Sequence, residues 1–109
     1  MKLYIGIDLG GTNIGAGIVD GEGNILLKGE VATGASRPFE EVIKDMAGLI
    51  EDLMEQGGYT TSDIEAIGIG SPGSMDRENG VVVSANNLGW RVAPVREELQ
   101  QYMDLPVYL

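Results

Sequence analysis

The fold of this chain is decided by residues 4–20, which read YIGIDLGGTNIGAGIVD. Two runs rich in apolar residues flank Gly10-Gly11-Thr12-Asn13, and a short glycine-rich connection between such runs predicts a β-hairpin. Adjacent glycines can adopt positive φ and carry no Cβ that would obstruct an incoming group. We therefore expect strands at about 3–9 and 14–19, joined by a tight and accessible turn.

The predicted turn carries groups suited to phosphate. Its backbone N–H groups, with the Thr12 hydroxyl and the Asn13 amide, form a concave set of donors. Asp8 ends the first strand, where its carboxylate would repel phosphate unless a cation lies between them. The sequence thus predicts a Mg²⁺-nucleotide site, with Gly10, Gly11, Thr12 and Asn13 on the phosphate and Asp8 on the metal. From the residues alone, an ordinary turn without a ligand remains the alternative.

Three other motifs can be rejected. The segment 6–12 has the glycine spacing of a P-loop but lacks the lysine that reaches the phosphates. The segment 68–73 satisfies the dinucleotide-binding pattern, but Pro72 and the residues after it do not open a helix. The segment 20–24 begins like a calcium loop, but Ile25 stands where that loop requires glycine.

A family resemblance accompanies the opening motif. Residues 8–13, DLGGTN, resemble the first phosphate motif of the sugar kinase/Hsp70/actin superfamily. Within it, the chain resembles the N-terminal domain of a ROK-family sugar kinase of the glucokinase type. Three further segments match motifs of this family in order and spacing, namely 66–73, Asp76 with Gly80, and 86–90. The resemblance covers essentially all 109 residues. It implies an α/β, ribonuclease H-like (actin-like ATPase) domain whose mixed five-stranded sheet begins with an antiparallel meander and carries packed helices.

The resemblance also implies ligands. ATP and Mg²⁺ would be the cofactors, and a hexose would accept the phosphoryl group. Pro72 and Gly73 would line the sugar pocket, and Asn87 aligns with the family's sugar-contacting asparagine. Asn86 departs mildly from the family, whose members often carry proline there.

The family's catalytic base is expected outside this chain. In the family that the chain resembles, the general-base aspartate follows directly after the strand that here begins near residue 105. The resemblance therefore implies that this aspartate falls beyond Leu109. The second lobe, with its sugar ligands and its zinc motif, is expected there too. We therefore expect no catalytic residue within these 109 residues, and no hexose phosphorylation by the isolated chain.

Composition narrows the class of protein. A length of 109 residues suits one small domain. The net charge of −10 argues against nucleic acid or an anionic membrane as the main partner. The absence of Cys and His excludes disulfides, thiolate zinc sites and imidazole chemistry within the chain. Neither a leader nor an apolar run of about 20 residues is present, so a cytoplasmic protein is expected.

The rest of the N-terminal half predicts a meander followed by a helix. Residues 25–33 supply a third strand after a turn at 20–24. Pro38 suits the first turn of a helix, and apolar residues at helical spacing continue to the pair Gly57-Gly58, which should end it. The second strand alternates glycine with apolar residues, so one of its faces is nearly bare and suits a packed neighbour or a ligand.

The C-terminal half predicts smaller elements. Residues 64–70 indicate a buried strand parallel to the first, followed by a loop, and residues 76–83 indicate a turn and a short strand. Trp90 is interpreted as a hydrophobic anchor for its loop, and Arg96 as a solvated side chain. Pro94 opens a shorter helix with three apolar residues on one side, namely Val95, Leu99 and Tyr102.

Two alternative functions remain open. One is a sugar-responsive transcriptional regulator of the same family, which would carry a winged helix-turn-helix before the first strand. Leu3 already belongs to that strand, which disfavours this hypothesis. The other is a freestanding domain that binds a ligand or partner without turnover. For the isolated chain a homo-oligomer is expected, because half of an interlobe cleft leaves apolar surface and strand edges uncovered.

Overall fold

The computed structural model describes residues 2–34, 37–71, 73–85 and 88–109, which form eight strands and two α-helices. The strands are β1 (Leu3–Leu9), β2 (Asn13–Asp20), β3 (Ile25–Ala32), β4 (Ile64–Gly70), β5 (Ser74–Asp76), β6 (Val81–Ala85), β7 (Trp90–Ala93) and β8 (Val107–Tyr108). The helices are α1 (Phe39–Gly57) and α2 (Val95–Gln100).

The main sheet is mixed and has the strand order β3-β2-β1-β4-β8. β1, β2 and β3 form an antiparallel meander, whereas β4 runs parallel to β1 and β8 parallel to β4. Both the five-stranded sheet and the meander are as predicted, and the ends of β2 and β3 differ from the prediction by one residue. The connection from β3 to β4 passes through α1, the crossover that a parallel pair of strands needs.

Helix α1 covers one face of this sheet. Pro38 immediately precedes it, Glu40 and Glu41 lie in its first turn, and Gly58 ends it in the left-handed region at φ 72°. The predicted apolar stripe is confirmed, because eight residues of the helix are buried: Val42, Ile43, Met46, Ala47, Leu49, Ile50, Leu53 and Met54. They pack with the alternate, buried residues of β1, namely Leu3, Ile5, Ile7 and Leu9.

The opposite face of the sheet carries glycines in register. Gly6 of β1 pairs with Gly17 of β2 on one side and with Gly68 of β4 on the other. A Cβ built on Gly6 or Gly68 meets nothing within 4 Å. A trough of about 580 Å³ therefore runs over bare backbone, with Asp8 and Lys28 among its lining residues. Within the described residues nothing fills this bare face.

A second sheet, with the order β5-β6-β7, was only partly predicted. Residues 71–74 were expected to be a loop, but β5 already begins at Ser74. Trp90 was expected in a loop, but it is the first residue of β7 and pairs with Ala85. Strands of three or four residues are too short to show an alternating pattern, so neither could be recognised.

Two interpretations of the C-terminal region were wrong. Tyr102 lies beyond the end of α2 and is 40% exposed, because the helix ends at Gln100 and the chain turns there. Met103 and Leu105 contribute to the core instead.

Arg96 was interpreted as solvated, but it is half-buried and ties three segments together. Its Nε donates to the Val107 carbonyl at 2.7 Å, and its two terminal nitrogens donate to the carbonyls of Glu78 at 2.9 Å and Arg77 at 3.0 Å. The turn between β5 and β6 is therefore joined to β8 through one side chain of α2.

The two faces of the sheet predict opposite responses to the same substitution. A Cβ on Gly29 of β3 would lie 3.1 Å from Leu49 and 3.3 Å from Leu53, both on α1. Gly29→Val should therefore lower the free energy of unfolding by about 1–3 kcal/mol through overpacking. Gly68→Val, on the open face, should leave it unchanged or raise it, since valine suits a strand better than glycine. Urea unfolding of both variants measures the difference, and an equal loss in the two would contradict the assignment of faces.

Candidate nucleotide-binding site

The β1–β2 turn is tight at Gly10. The Gly10 N–H donates to the Asn13 carbonyl at 3.0 Å, and a Cβ on Gly10 would lie 2.9 Å from that same oxygen. Glycine is therefore needed here because of close backbone contact. Gly10 itself lies outside the left-handed region and does not use the positive φ that glycine allows. The exposed side chains of Thr12 and Asn13 flank the turn as predicted.

Thr33, which the sequence analysis did not single out, holds the β1–β2 turn by two hydrogen bonds. The Thr33 hydroxyl donates to the Gly10 carbonyl at 2.8 Å, and the Thr33 N–H donates to the Thr12 carbonyl at 2.9 Å. Thr33 has no exposed surface. The only signal available was a threonine at the end of the third strand, and its meaning depends on the strand register that places it beside the turn.

Thr33 is in turn held by α1 through an arginine. The Arg37 guanidinium donates to the Thr33 carbonyl at 2.7 Å and lies 2.8 Å from the Asp45 carboxylate. Both side chains of this ion pair are more than one-third exposed, so solvent screens their attraction. The contact nevertheless connects the helix to the turn through consecutive hydrogen bonds.

Asp8 stands alone on the open face of the sheet. It is exposed, and its partners in register are Gly15 on β2 and Gly70 on β4, so no side chain flanks it along its row. Across the described parts of the chain, no three Asp, Glu, His or Cys residues come together as a metal site. A single carboxylate suits Mg²⁺, which typically takes one or two protein carboxylates and completes its shell with phosphates and water.

The residues present fit a Mg²⁺-phosphate group. The turn supplies backbone donors and an exposed hydroxyl, and the lone carboxylate stands two residues before Gly10 on a face that no side chain obstructs. Neither element would be useful for an apolar ligand, because both present polar groups to solvent.

The loop after β4 begins beside Asp8. Gly70 pairs with Asp8, so the carboxyl ends of these parallel strands lie together, where ligands collect in open α/β sheets. Gly73, from the predicted sugar loop, lies at φ 84°, and a Cβ there would collide with the Ser84 carbonyl oxygen. Pro72 and Asn87, the other predicted sugar contacts, lie outside the described residues.

Trp90, the first residue of β7, lies in the hydrophobic core. It is buried, and its ring meets that of Phe39 edge to face, with centroids 6.0 Å apart and planes at 69°. Its indole N–H is buried without a hydrogen-bond partner in the described part of the structure. The burial of Trp90 agrees with its interpretation as a hydrophobic anchor, but it lies in a strand, and residues 86 and 87 of the loop that it was expected to anchor lie outside the described residues.

Two aspartates have a lowered pKa for the same local reason. The Asp76 carboxylate accepts hydrogen bonds from the side-chain amide of Asn79 at 2.8 Å and from its N–H at 3.2 Å, and these lower its pKa. The side-chain amide and N–H of Asn24 do the same for Asp20. Both carboxylates are thus occupied in closing turns, which agrees with rejecting a calcium loop at 20–24.

The meander, the crossover helix and the glycine turn define a ribonuclease H-like domain of the actin-like ATPase class. The sequence profile of the ROK family matches residues 4–109. The chain belongs to the ROK family.

Individual relatives include both kinases and a repressor. A glucokinase from Streptomyces coelicolor is 38% identical over 98% of this chain and 32% of its own length. A ROK family glucokinase from Streptomyces griseus, crystallised with glucose and AMPPNP, is 37% identical with a TM-score of 0.85, covering 98% of this chain and 32% of that one. A xylose repressor from Caldicellulosiruptor bescii is 33% identical over 96% of this chain and 26% of its own length. The chain spans about a third of the length of the curated glucokinases that it matches.

Among the described residues, no helix has both the length and the apolar character needed to span a membrane.

The turn closed by Asp76 gives a testable pH effect. Asn79→Ala should raise the pKa of Asp76 toward its ordinary value of 3.8, because the amide hydrogen bond that favours the carboxylate is lost. Since the folded-state pKa is the lower one, ionised Asp76 stabilises the fold above about pH 3.8, and this is lost as pH falls through the folded-state value. Carboxyl ¹³C titration by NMR measures the shift.

Asn24→Ala is the matched control. It should raise the pKa of Asp20 and leave that of Asp76 unchanged, because the two turns are separate. An Asp76 pKa that does not respond to Asn79→Ala would contradict the proposed cause.

Proposed function

We propose that these 109 residues form the lobe of an ATP-dependent hexose kinase that holds the nucleotide phosphates and one side of the sugar. The observation that carries the proposal is the glycine turn at residues 10–13, with Asp8 two residues before it at the carboxyl end of β1. The similarity to glucokinases, including one crystallised with glucose and AMPPNP, supports the choice of sugar and nucleotide.

The chemistry suits what these residues offer. Phosphoryl transfer depends on positioning and on neutralising charge, and it asks little covalent chemistry of the protein. Gly10, Gly11, Thr12 and Asn13 would hold phosphate oxygens through backbone and side-chain donors. Asp8 would orient Mg²⁺, which when bound supplies positive charge to the phosphates.

The sugar side would be built at the neighbouring strand ends. Gly73 begins the approach to β5 in a conformation that only glycine adopts without strain, and the loop that contains it starts beside Asp8. Pro72, Gly73 and Asn87 are proposed to contact the hexose. Under this proposal, the phosphate group and the sugar would lie at adjacent strand ends, as transfer between them requires.

A sugar-responsive regulator is the second candidate function. The similarity to a xylose repressor favours it, because that relative matches nearly the whole chain at 33% identity. A regulator of this kind would use the sugar side without needing a functional phosphate turn. Nucleotide binding therefore separates the two functions, and it also separates the kinase lobe from a domain that binds some other ligand or partner.

The test is a titration of the ¹⁵N-labelled chain with Mg²⁺-ADP and Mg²⁺-ATP, followed by NMR. We expect shifts at Gly10, Gly11 and Thr12 with a dissociation constant near millimolar, roughly −4 kcal/mol, because this lobe offers few contacts for adenosine. Asp8→Asn should reduce the dependence of binding on Mg²⁺ while keeping the fold, since the amide preserves shape but removes charge.

Asp52→Asn provides the matched control. It makes the same change of charge at an exposed position of α1, on the other side of the sheet, and should leave the Mg²⁺ dependence unchanged. Flat shifts at the turn under saturating Mg²⁺-nucleotide would refute the phosphate site and favour the regulator. Inactivity of the isolated 109-residue chain, homo-oligomer formation and a cytoplasmic location stay predictions.

A further inference from the structure

We propose that Thr33 is a positioning residue that orients the backbone donors of the glycine turn at residues 10–13 and keeps the Asn13 N–H available to a ligand. The ligand of this turn is taken from the proposed function, whereas the orientation of the peptide groups in the turn does not depend on it. Thr33 lies directly after β3, 23 positions along the chain from Gly10, so it acts on the turn purely through the folded sheet.

The orientation of the donors follows from the planarity of the peptide bond. In a trans peptide, the C=O of one residue and the N–H of the next point in opposite directions. The Gly10 carbonyl points to the Thr33 hydroxyl, so the Gly11 N–H points away from Thr33. The Thr12 carbonyl points to the Thr33 N–H, so the Asn13 N–H also points away from it. Thr33 thus fixes two peptide planes whose donors face away from the side on which it is buried.

The hydroxyl also prevents the turn from closing on itself. In a hydrogen-bonded antiparallel pair, the two residues normally exchange both N–H···O bonds. Here the Gly10 N–H donates to the Asn13 carbonyl, but the Gly10 carbonyl accepts from the Thr33 hydroxyl. Without that hydroxyl, the Gly10 oxygen becomes the natural acceptor for the Asn13 N–H. A donor that should reach phosphate would then be consumed within the turn.

The surroundings of Thr33 leave it little freedom. It is fully buried, and its N–H, hydroxyl and carbonyl are all engaged, the last by Arg37 at 2.7 Å. The pairing of Asn13 with Ala32 places Thr33 opposite Thr12 in the same register. The backbone N–H and the hydroxyl of Thr33 make separate hydrogen bonds, so a substitution can remove the hydroxyl and leave the backbone contact with Thr12 in place.

The experiment compares three variants of the 109-residue chain. Thr33→Val removes the hydroxyl but keeps the branched shape and the N–H, Thr33→Ser retains a hydroxyl, and Asp45→Asn breaks the ion pair with Arg37 while leaving Thr33 intact. Amide hydrogen exchange at Gly11 and Asn13 reports the orientation of the turn. Mg²⁺-ADP titration reports its consequence for binding.

In the unsubstituted chain, the Gly11 and Asn13 amides should exchange rapidly and the Gly10 amide should be protected. Thr33→Val should slow exchange at Asn13 and weaken Mg²⁺-ADP binding about tenfold, the equivalent of one lost hydrogen bond to a charged group. Thr33→Ser, which keeps a hydroxyl, should show the same exchange rate at Asn13 and the same affinity for Mg²⁺-ADP as the unsubstituted chain. Asp45→Asn should change neither, whatever it does to the melting temperature.

Two outcomes would overturn the inference. One is a protected Asn13 amide in the unsubstituted chain, a result that needs no variant and so survives any failure of Thr33→Val to fold. The other is a folded Thr33→Val chain with rapid exchange at Asn13. If the unsubstituted chain binds no Mg²⁺-ADP, the proposed function fails, whereas the exchange pattern still decides the role of Thr33.

Discussion

The pairing of β1 with β2 on one side and β4 on the other is the constraint on which the rest of the molecule depends. It places Asp8 between Gly15 and Gly70, ends β1 at the glycine turn, and starts the loop that contains Gly73 beside the same carboxylate. A one-residue slip in either pairing would move Asp8 to the face covered by α1. The buried residues of β1 prevent such a slip, because it would expose Ile5 and Ile7 to water.

The alternation of residues along β1 gives the sheet two faces of different use. One face carries bulky apolar side chains under α1, and the other carries glycine in three adjacent strands. Glycine within a strand costs about 0.5–1 kcal/mol relative to alanine, so the row lowers stability. In exchange it leaves an unobstructed approach to Asp8 across bare backbone.

Local pattern explains which features the sequence could predict. The hairpin, the meander and α1 follow from alternation, helical spacing and glycine positions that can be read within a short window. Thr33 and Arg96 could not be recognised, because their roles consist of contacts with segments 11 to 23 positions away along the chain. The glycine row was visible in β2 alone, and only the register showed that it continues into β1 and β4. The family resemblance predicts that Gly73 contacts the sugar. The geometry adds a separate reason for glycine at this position, because a Cβ there would collide with the carbonyl oxygen of Ser84.

The parallel pairing of β1 with β4 has a consequence for the order of synthesis. Ile5 pairs with Ile67, about sixty positions later, whereas its partner on β2 is Ile18. At ribosomal rates of about 5–20 residues per second, β4 emerges several seconds after β1. During that interval β1 is an outer strand of the meander with one edge open. An unpaired edge beside apolar residues is the kind of surface that chaperones recognise and that promotes aggregation. The strand that carries Asp8 therefore stays without its second partner until β4 has been made.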